Sequence, residues 1–273
     1  MKKILTVGFL ALISTSLFAI NIFKYVPFEG NVKSYSQTDF SISSKFGNFL
    51  RTPKLKVVHV FDQKGNEVES TEYTPRDVLI NKIVSTYDKN NNLIEQKCIN
   101  DESEIVWKNV ISYKNGKKVD ISEYDNNNNL KTRTIFTYKS DSVCDESLYD
   151  SDGALISKVI FKKEPNKETI STYFSNGSLD TEEIITYSEN GSIESVVRFS
   201  SLFDGLETDI FRYTDGKLTE ITTYDENKEV IYRLVIKYDS TGNVSRVSNY
   251  EVLKKFGTTV TDLIDQTDYV FEY

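Results

Sequence analysis

The chemistry open to this 273-residue chain is limited by its single histidine, His59. One imidazole excludes metal sites built from several histidines and most zinc sites. A serine or cysteine nucleophile would have to use this same imidazole as its base. His59 lies within the apolar segment 56–61, which we interpret as a strand. We therefore predict that His59 is a residue of a strand face and not a catalytic base.

Acidic side chains cluster in segment 101–104 and at Glu182 and Glu183. Such carboxylates can act as general acids or bases, but no neighbouring residue pattern pairs or buries them. The Asp-x-x-Gly turn at 62–65 is similar to the start of a calcium loop, yet it lacks the ligand density of one. We predict no catalytic residues, no metal site and no cofactor, and hence a protein that is not an enzyme.

Two cysteines, Cys98 and Cys144, raise the question of a disulfide. In a simple meander they lie about four strands apart, or roughly 19 Å at the spacing of neighbouring strands. A disulfide needs Cα atoms within about 7 Å. The sequence therefore predicts two unpaired thiols.

These residues must be positioned by a repeat that recurs ten times. An aromatic residue is followed by a polar turn and, five to seven residues later, by Leu, Ile or Val. The pairs are Phe61–Val68, Tyr87–Leu93, Tyr113–Val119, Tyr124–Leu130, Tyr149–Leu155, Tyr173–Leu179, Tyr187–Ile193, Tyr213–Leu218, Tyr224–Val230 and Tyr238–Val244. We expect the aromatic to end one strand and the aliphatic to open the next, so that the two face each other across a hairpin.

The turns and their spacing predict the fold. Gly153, Gly177, Gly191 and Gly242 share one loop position, where we expect positive φ. Aromatic positions recur in steps of 11–12 and 14 residues, which gives units of two strands and about 25–26 residues. Period-2 alternation, as in 230–238, is typical of strands. The predicted fold is all-β: a long, curled antiparallel meander of tandem β-hairpins, shaped as a half-pipe or flattened solenoid, with about 15 or more strands from residue 31 to 273.

The N-terminus has the pattern of a secretory signal peptide. Lys2 and Lys3 precede a short apolar stretch, 4–18, and Ala19 is a suitable cleavage position. We divide the chain into a signal peptide (1–19), an N-terminal cap (20–56), tandem hairpin repeats (57–250) and C-terminal capping strands (251–273). The formal charge of −8 becomes −10 once Lys2 and Lys3 are removed. An acidic surface argues against nucleic acid as a partner.

The repeat units resemble known bacterial families. The units beginning at Tyr149, Tyr224 and Tyr238, each followed by Asp, resemble YD repeats of the Rhs type. The shorter units at Tyr113 and Tyr213 resemble the MORN-like repeats of YwqK-family, antitoxin-annotated proteins. The resemblance covers about residues 57–250 and implies an exported β-repeat protein of the bacterial cell envelope.

The function predicted from these observations is binding without catalysis. We expect an exported scaffold, periplasmic or at the cell surface, that binds a protein or glycan partner. Arg233 and Lys237, on the strand face opposite the aromatics, are the candidate binding residues. An antitoxin- or immunity-like repeat protein is one alternative. An outer-membrane β-barrel is another, although strands of seven or eight residues and turns that are short on both sides make membrane insertion less favourable.

Overall fold

The computed structural model describes residues 21–45, 48–202, 205–255 and 257–273, so the predicted signal peptide lies outside the described residues. A short 3₁₀ helix at Ile22–Lys24 precedes eighteen strands. The strands are β1 (Ser34–Lys45), β2 (Asn48–Phe61), β3 (Glu67–Tyr73), β4 (Leu79–Tyr87), β5 (Leu93–Asn100), β6 (Ile105–Lys114), β7 (Lys117–Asp125), β8 (Leu130–Tyr138), β9 (Val143–Asp150), β10 (Leu155–Glu164), β11 (Lys167–Phe174), β12 (Leu179–Tyr187), β13 (Ile193–Ser200), β14 (Gly205–Thr214), β15 (Lys217–Tyr224), β16 (Val230–Tyr238), β17 (Val244–Lys255) and β18 (Thr258–Glu272).

The antiparallel meander is confirmed, but its predicted open shape is wrong. Each strand pairs with its sequence neighbours, and β1 also pairs with β18 from Ser34↔Glu272 to Ser41↔Asp265. The sheet is therefore a closed 18-stranded barrel and not a half-pipe or flattened solenoid. Closure removes the unpaired strand edges that an open sheet would expose. Local repeats cannot reveal it, because the two partners that close the sheet lie at opposite ends of the chain.

Hairpin chemistry follows the prediction closely. The backbone φ is positive at Gly153, Gly177, Gly191 and Gly242, at 83°, 83°, 84° and 96°. Eight of the ten aromatic–aliphatic pairs face each other directly across the ladder. In the other two, Phe61 faces Glu67 and Tyr113 faces Lys118. A β-bulge beside each turn adds one residue to one strand, and this extra residue keeps the aromatic and the aliphatic side chain opposite each other.

The barrel has a filled interior on one side. Residues 21–33, which we call the lumen plug, contact strands from β12 round to β18, β1 and β2. Only the concave side of a closed sheet lets one short segment reach strands so far apart, so these contacts identify the inner face. By strand alternation the inner face also carries Leu234 and Ile236, whereas Arg233 and Lys237 point outwards.

The segments predicted as caps belong to this closed structure. Residues 34–45 and 48–56 lie in the wall as β1 and most of β2, and the segment 251–273 contributes the ends of β17 and all of β18. The remaining described part of the predicted N-terminal cap is the lumen plug itself.

Two parts of the barrel are related by an offset of 100 residues. Strands β3–β8 and β11–β16 begin at positions that differ by 100 throughout. The ladders also correspond, because Gln96↔Asn109 matches Val196↔Asp209 and Asn109↔Glu123 matches Asp209↔Thr223. We call the inner face of β11–β16 the covered wall and the inner face of β3–β8 the bare wall. The same backbone can thus be compared with and without the plug against it.

Candidate functional site: the barrel lumen

The lumen plug is held first by apolar packing. Ile22 is 1% exposed and belongs to a buried cluster that includes Val196, Phe211 and Ile221. The rings of Phe23 and Tyr269 lie edge to face with centroids 5.1 Å apart, a favoured geometry for aromatic pairs. The buried residues of this cluster come from the plug, from strands β12–β18 and from β1. Burial of this size fixes the plug as part of the folded core.

Polar anchors then set the position of the plug. Lys24 Nζ lies 3.0 Å from a carboxylate oxygen of Glu183 on β12. Asn243 binds the plug backbone twice: the Glu29 N–H donates to Asn243 Oδ1 at 2.8 Å, and Asn243 Nδ2 donates to the Glu29 carbonyl at 2.9 Å. Asn243 is only 1% exposed. A side-chain amide therefore binds both backbone groups of one residue, as the facing residue of a neighbouring antiparallel strand would.

The covered wall contains a satisfied polar network. Asp209 on β14 is 1% exposed and accepts hydrogen bonds from both terminal nitrogens of Arg198. The Thr223 hydroxyl donates to the same carboxylate at 2.7 Å. Tyr25 of the plug packs on Phe211, two residues further along β14, with ring centroids 5.1 Å apart. Burial beside Glu183 and Asp209 raises the pKa of Tyr25 well above its usual value.

The bare wall has the same positions with different side chains. Asn109 stands in the place of Asp209, with Cys98 in that of Arg198 and Glu123 in that of Thr223. Asn109 has no exposed surface, and neither its amide oxygen nor its amide nitrogen has a hydrogen-bond partner in the described structure. Such orphaned amides are rare because each costs roughly 1–3 kcal/mol.

A second polar pair lies further along the inner face. Burial raises the pKa of Glu146 on β9 to about 7, and the attraction of Lys118 opposes the rise. Burial also lowers the pKa of the Lys118 ammonium, whose Nζ lies 5.5 Å from the centre of the Phe136 ring. On β17, the strand after the covered wall, Val247 faces Ile236 in the way that Glu146 on β9, the strand after the bare wall, faces Phe136.

Tyrosines at one rim of the barrel tie successive hairpins together. The hydroxyls of Tyr87, Tyr113, Tyr213 and Tyr238 each donate to a backbone carbonyl about 20 residues earlier, at Glu67, Leu93, Ile193 and Leu218. These four side chains are partly buried on the inner face. They are packing residues, as the hairpin pattern predicts.

The outer wall carries rows of ion pairs at the middle of the strands. The fourth residue of four even-numbered strands is a cation that meets a carboxylate of the preceding strand. These pairs are Lys82–Glu69, Arg133–Asp120, Lys158–Asp145 and Arg233–Glu220. Hydroxyl groups of Thr71, Ser122 and Thr222 donate to three of the same carboxylates. The outer face therefore carries paired charges at the middle of these strands.

The candidate binding residues from sequence lie on this outer wall. Arg233 Nη2 is 2.6 Å from a Glu220 oxygen, so its charge is paired within the sheet. Lys237 is exposed near the end of β16 and faces Arg246 of the next strand. The two are not brought together in a pocket, and their role in binding stays a prediction.

The other chemically active side chains are dispersed. His59 lies on β2, stacked on Tyr35 at 4.3 Å, with Nδ1 2.8 Å from a Glu67 oxygen. Cys98 and Cys144 are free thiols on β5 and β9. The segment 101–104 forms an exposed turn. No group of three His, Cys, Asp or Glu side chains suited to a metal ion occurs within the described ranges.

Sequence reasoning missed the lumen residues Asn109, Glu123, Glu183 and Asn243. The sequence pattern predicts no pairing or burial for Glu183 and assigns no role to Asn243. Strand alternation could have placed Asn109 and Glu123 on the aromatic face, where polar residues are unusual. No local signal identifies the plug as the partner of Glu183, because the contact spans 159 residues.

Comparisons with known proteins establish the fold only. No family model and no curated protein matches the chain. A porin-like protein from Bacteroides uniformis superimposes with a TM-score of 0.50 at 10% identity, over 90% of this chain and 98% of that chain. A porin-like protein from Bacteroides vulgatus, 9% identical over 77% of this chain and 98% of that chain, has a TM-score of 0.34. Across the described residues, no helix is long and apolar enough to cross a membrane.

Proposed function

We propose that this protein is a non-catalytic binding barrel of the bacterial cell envelope, which holds a ligand in the part of the lumen that its own plug leaves free. The unequal filling of the lumen carries this proposal. An 18-stranded barrel is wide enough for an aqueous interior, and a plug of thirteen residues fills one side of it. The buried apolar cluster includes none of the described residues of β3–β8.

The charged outer wall supports a barrel that is surrounded by water. An outer-membrane barrel needs an apolar outer band about 25 Å tall, and a Lys or Arg at the bilayer midplane costs roughly 2–4 kcal/mol. Four outward cations in mid-strand would cost roughly 8–16 kcal/mol before pairing with carboxylates is considered. The same side chains contribute favourably to solubility when they face water. We therefore place the barrel in the periplasm or at the cell surface.

An outer-membrane barrel is the second candidate, and the closed architecture favours it over an open repeat scaffold. The sheet has an even number of antiparallel strands, and its fold is shared with a porin-like protein. The observed strand lengths do not argue against a membrane barrel. Many strands have nine or ten residues, for instance β4, β6 and β16, which is longer than the sequence predicted and within the 9–11 residues that span a bilayer.

Cell fractionation separates the two candidates. Envelopes from cells that express the full chain are washed with alkaline carbonate and then with urea, and the protein is followed by immunoblotting. We expect release into the wash, because the outer wall is charged. An integral outer-membrane protein from the same cells serves as the retained control. Retention of our protein with that control would overturn the water-facing barrel and leave the membrane barrel as the better account.

A further inference from the structure

The plug shows what kind of ligand the inner wall of this barrel recognises. It is a short peptide with aromatic and aliphatic side chains and one lysine paired with the inward carboxylate of Glu183. Both the N–H and the carbonyl of one of its residues, Glu29, are bound by the amide of Asn243. Each of these contacts is made by a side chain on a regular strand or its adjoining turn. The 100-residue offset allows the same kind of contact to be sought on the bare wall.

The bare wall has the corresponding groups without partners. Both amide atoms of Asn109 are unbonded, whereas the Asn243 oxygen accepts from the Glu29 N–H and the Asn243 nitrogen donates to the Glu29 carbonyl and to the Tyr273 hydroxyl. Glu123 faces Asn109 directly across the ladder and forms no ion pair or hydrogen bond with the described part of the chain. Ile111 stands where Phe211 supports the ring of Tyr25. An amide, a carboxylate and an apolar surface are thus gathered on one inner face.

We propose that the bare wall is a second peptide-binding site, which takes a short extended segment of a partner protein that has aromatic or aliphatic side chains and a Lys or Arg. The Asn109 amide would bind the backbone N–H and carbonyl of one residue of this segment, and Glu123 would pair with its cation. The inference deepens the proposed function and rests on it.

The charges of the plug and of the bare wall favour a basic peptide as the ligand. In the plug, the only acidic side chain among residues 22–29 is Glu29, while Lys24 makes the ion pair to the wall. On the bare wall, Glu123 is unpaired and adds negative charge.

Asn109 is covered by its neighbours, so a ligand reaches it only when these side chains move. Trp107, two residues away on the same face, is half-buried and lies beside this site.

The same residue provides the measurement, because Trp107 is the only tryptophan of the chain. The exported mature protein is titrated with a synthetic peptide of residues 22–28, and tryptophan emission is recorded. We expect a saturable change in emission. The same peptide carrying Lys24→Glu should bind at least tenfold more weakly, because its charge then repels Glu123.

Two variants test the assigned residues directly. Asn109→Leu removes the orphaned amide while it keeps the side-chain volume, so the variant should fold at least as well as the parent. Glu123→Gln removes only the charge. We expect each to weaken peptide binding at least tenfold, whereas Lys108→Gln, on the same strand but facing outwards, should bind like the parent.

Three results would overturn the second site. They are an emission that no peptide changes, unchanged affinity in both Asn109→Leu and Glu123→Gln, and saturable binding of neutral oligosaccharides but not of peptide. If the peptide instead displaced the plug, its affinity would not change in Asn109→Leu or Glu123→Gln, which is the second of these results. Fractionation separates failure of the second site from failure of the proposed function. If washing releases the barrel but no peptide binds, the barrel is water-facing and only the second site is wrong.

Discussion

The covered and bare walls have equivalent strands and registers, but different residue types occupy their inward-facing positions. Ile185, Val196 and Leu234 of the covered wall are buried, and their counterparts 100 residues earlier are Ser85, Gln96 and Thr134. Leu218 likewise corresponds to Lys118. At these four positions the wall beside the plug is apolar and the bare wall is polar. The hairpin repeat therefore specifies the wall, while the inward residues specify what each wall contacts.

Exchanging residues between the two walls should give the largest effect. Val196 has no exposed surface, so Val196→Gln buries an amide without a partner and crowds the cluster. We expect a loss of about 3 kcal/mol in the free energy of unfolding. The reverse change, Gln96→Val, should alter it by less than about 0.5 kcal/mol. Urea unfolding of both variants measures the difference, and equal losses would show that the two walls are equally packed.

Releasing the plug should have the next largest effect. Asn243→Ala removes both hydrogen bonds to Glu29 and leaves two part-buried backbone groups unpaired. We expect a loss of about 2 kcal/mol and faster hydrogen exchange in residues 21–33. Asn129→Ala is the matched control, because Asn129 bonds to Asp125 within its own turn. Exchange in the plug that is equal in both variants would show that Asn243 does not hold it.

A change of pH should affect the stability of β9, the strand beside the bare wall, through Glu146. Its pKa is raised from 4.5 to about 7, so its contribution to stability is fully present below pH 4.5 and is lost as the pH rises through 7. Glu146→Gln should therefore be more stable than the parent at pH 8, by about 1 kcal/mol after solvent screening is allowed for. At pH 4 the two should be equal. Urea midpoints at both pH values measure this, and a gain at pH 4 alone would contradict it.

The smallest expected effect lies in the turns. Asn128 and Lys228 occupy equivalent positions, both with φ of 64°. Lysine is strained in this left-handed region, whereas asparagine tolerates it better. Lys228→Gly should therefore stabilise the protein by about 0.5–1 kcal/mol, and Asn128→Gly by less. Thermal melting of the two variants provides the test, and a larger gain at Asn128 would reverse the argument.

Local features of the fold could be predicted from the sequence, and long-range ones could not. The hairpin turns, the alternation in β16 and the antiparallel order depend on residues within one unit of each other. Closure depends on Ser34 meeting Glu272, and the plug depends on Lys24 meeting Glu183. In neither pair does the sequence around one residue indicate which distant residue it contacts. For the same reason the outer position of Arg233 was predictable, while its pairing with Glu220 and the orphaned amide of Asn109 required the assembled sheet.

Closure through β1 and β18 also governs how the chain reaches its native state. The first strand finds its second partner only when the last one is available, and the plug needs Glu183 and Asn243 to be in place. Contacts of such large sequence separation pay their loop-closure entropy late, which makes folding slow. Until then both terminal strands expose unpaired edges on which other chains can assemble. A barrel of this design should therefore depend on chaperones for its yield more than on any single contact for its stability.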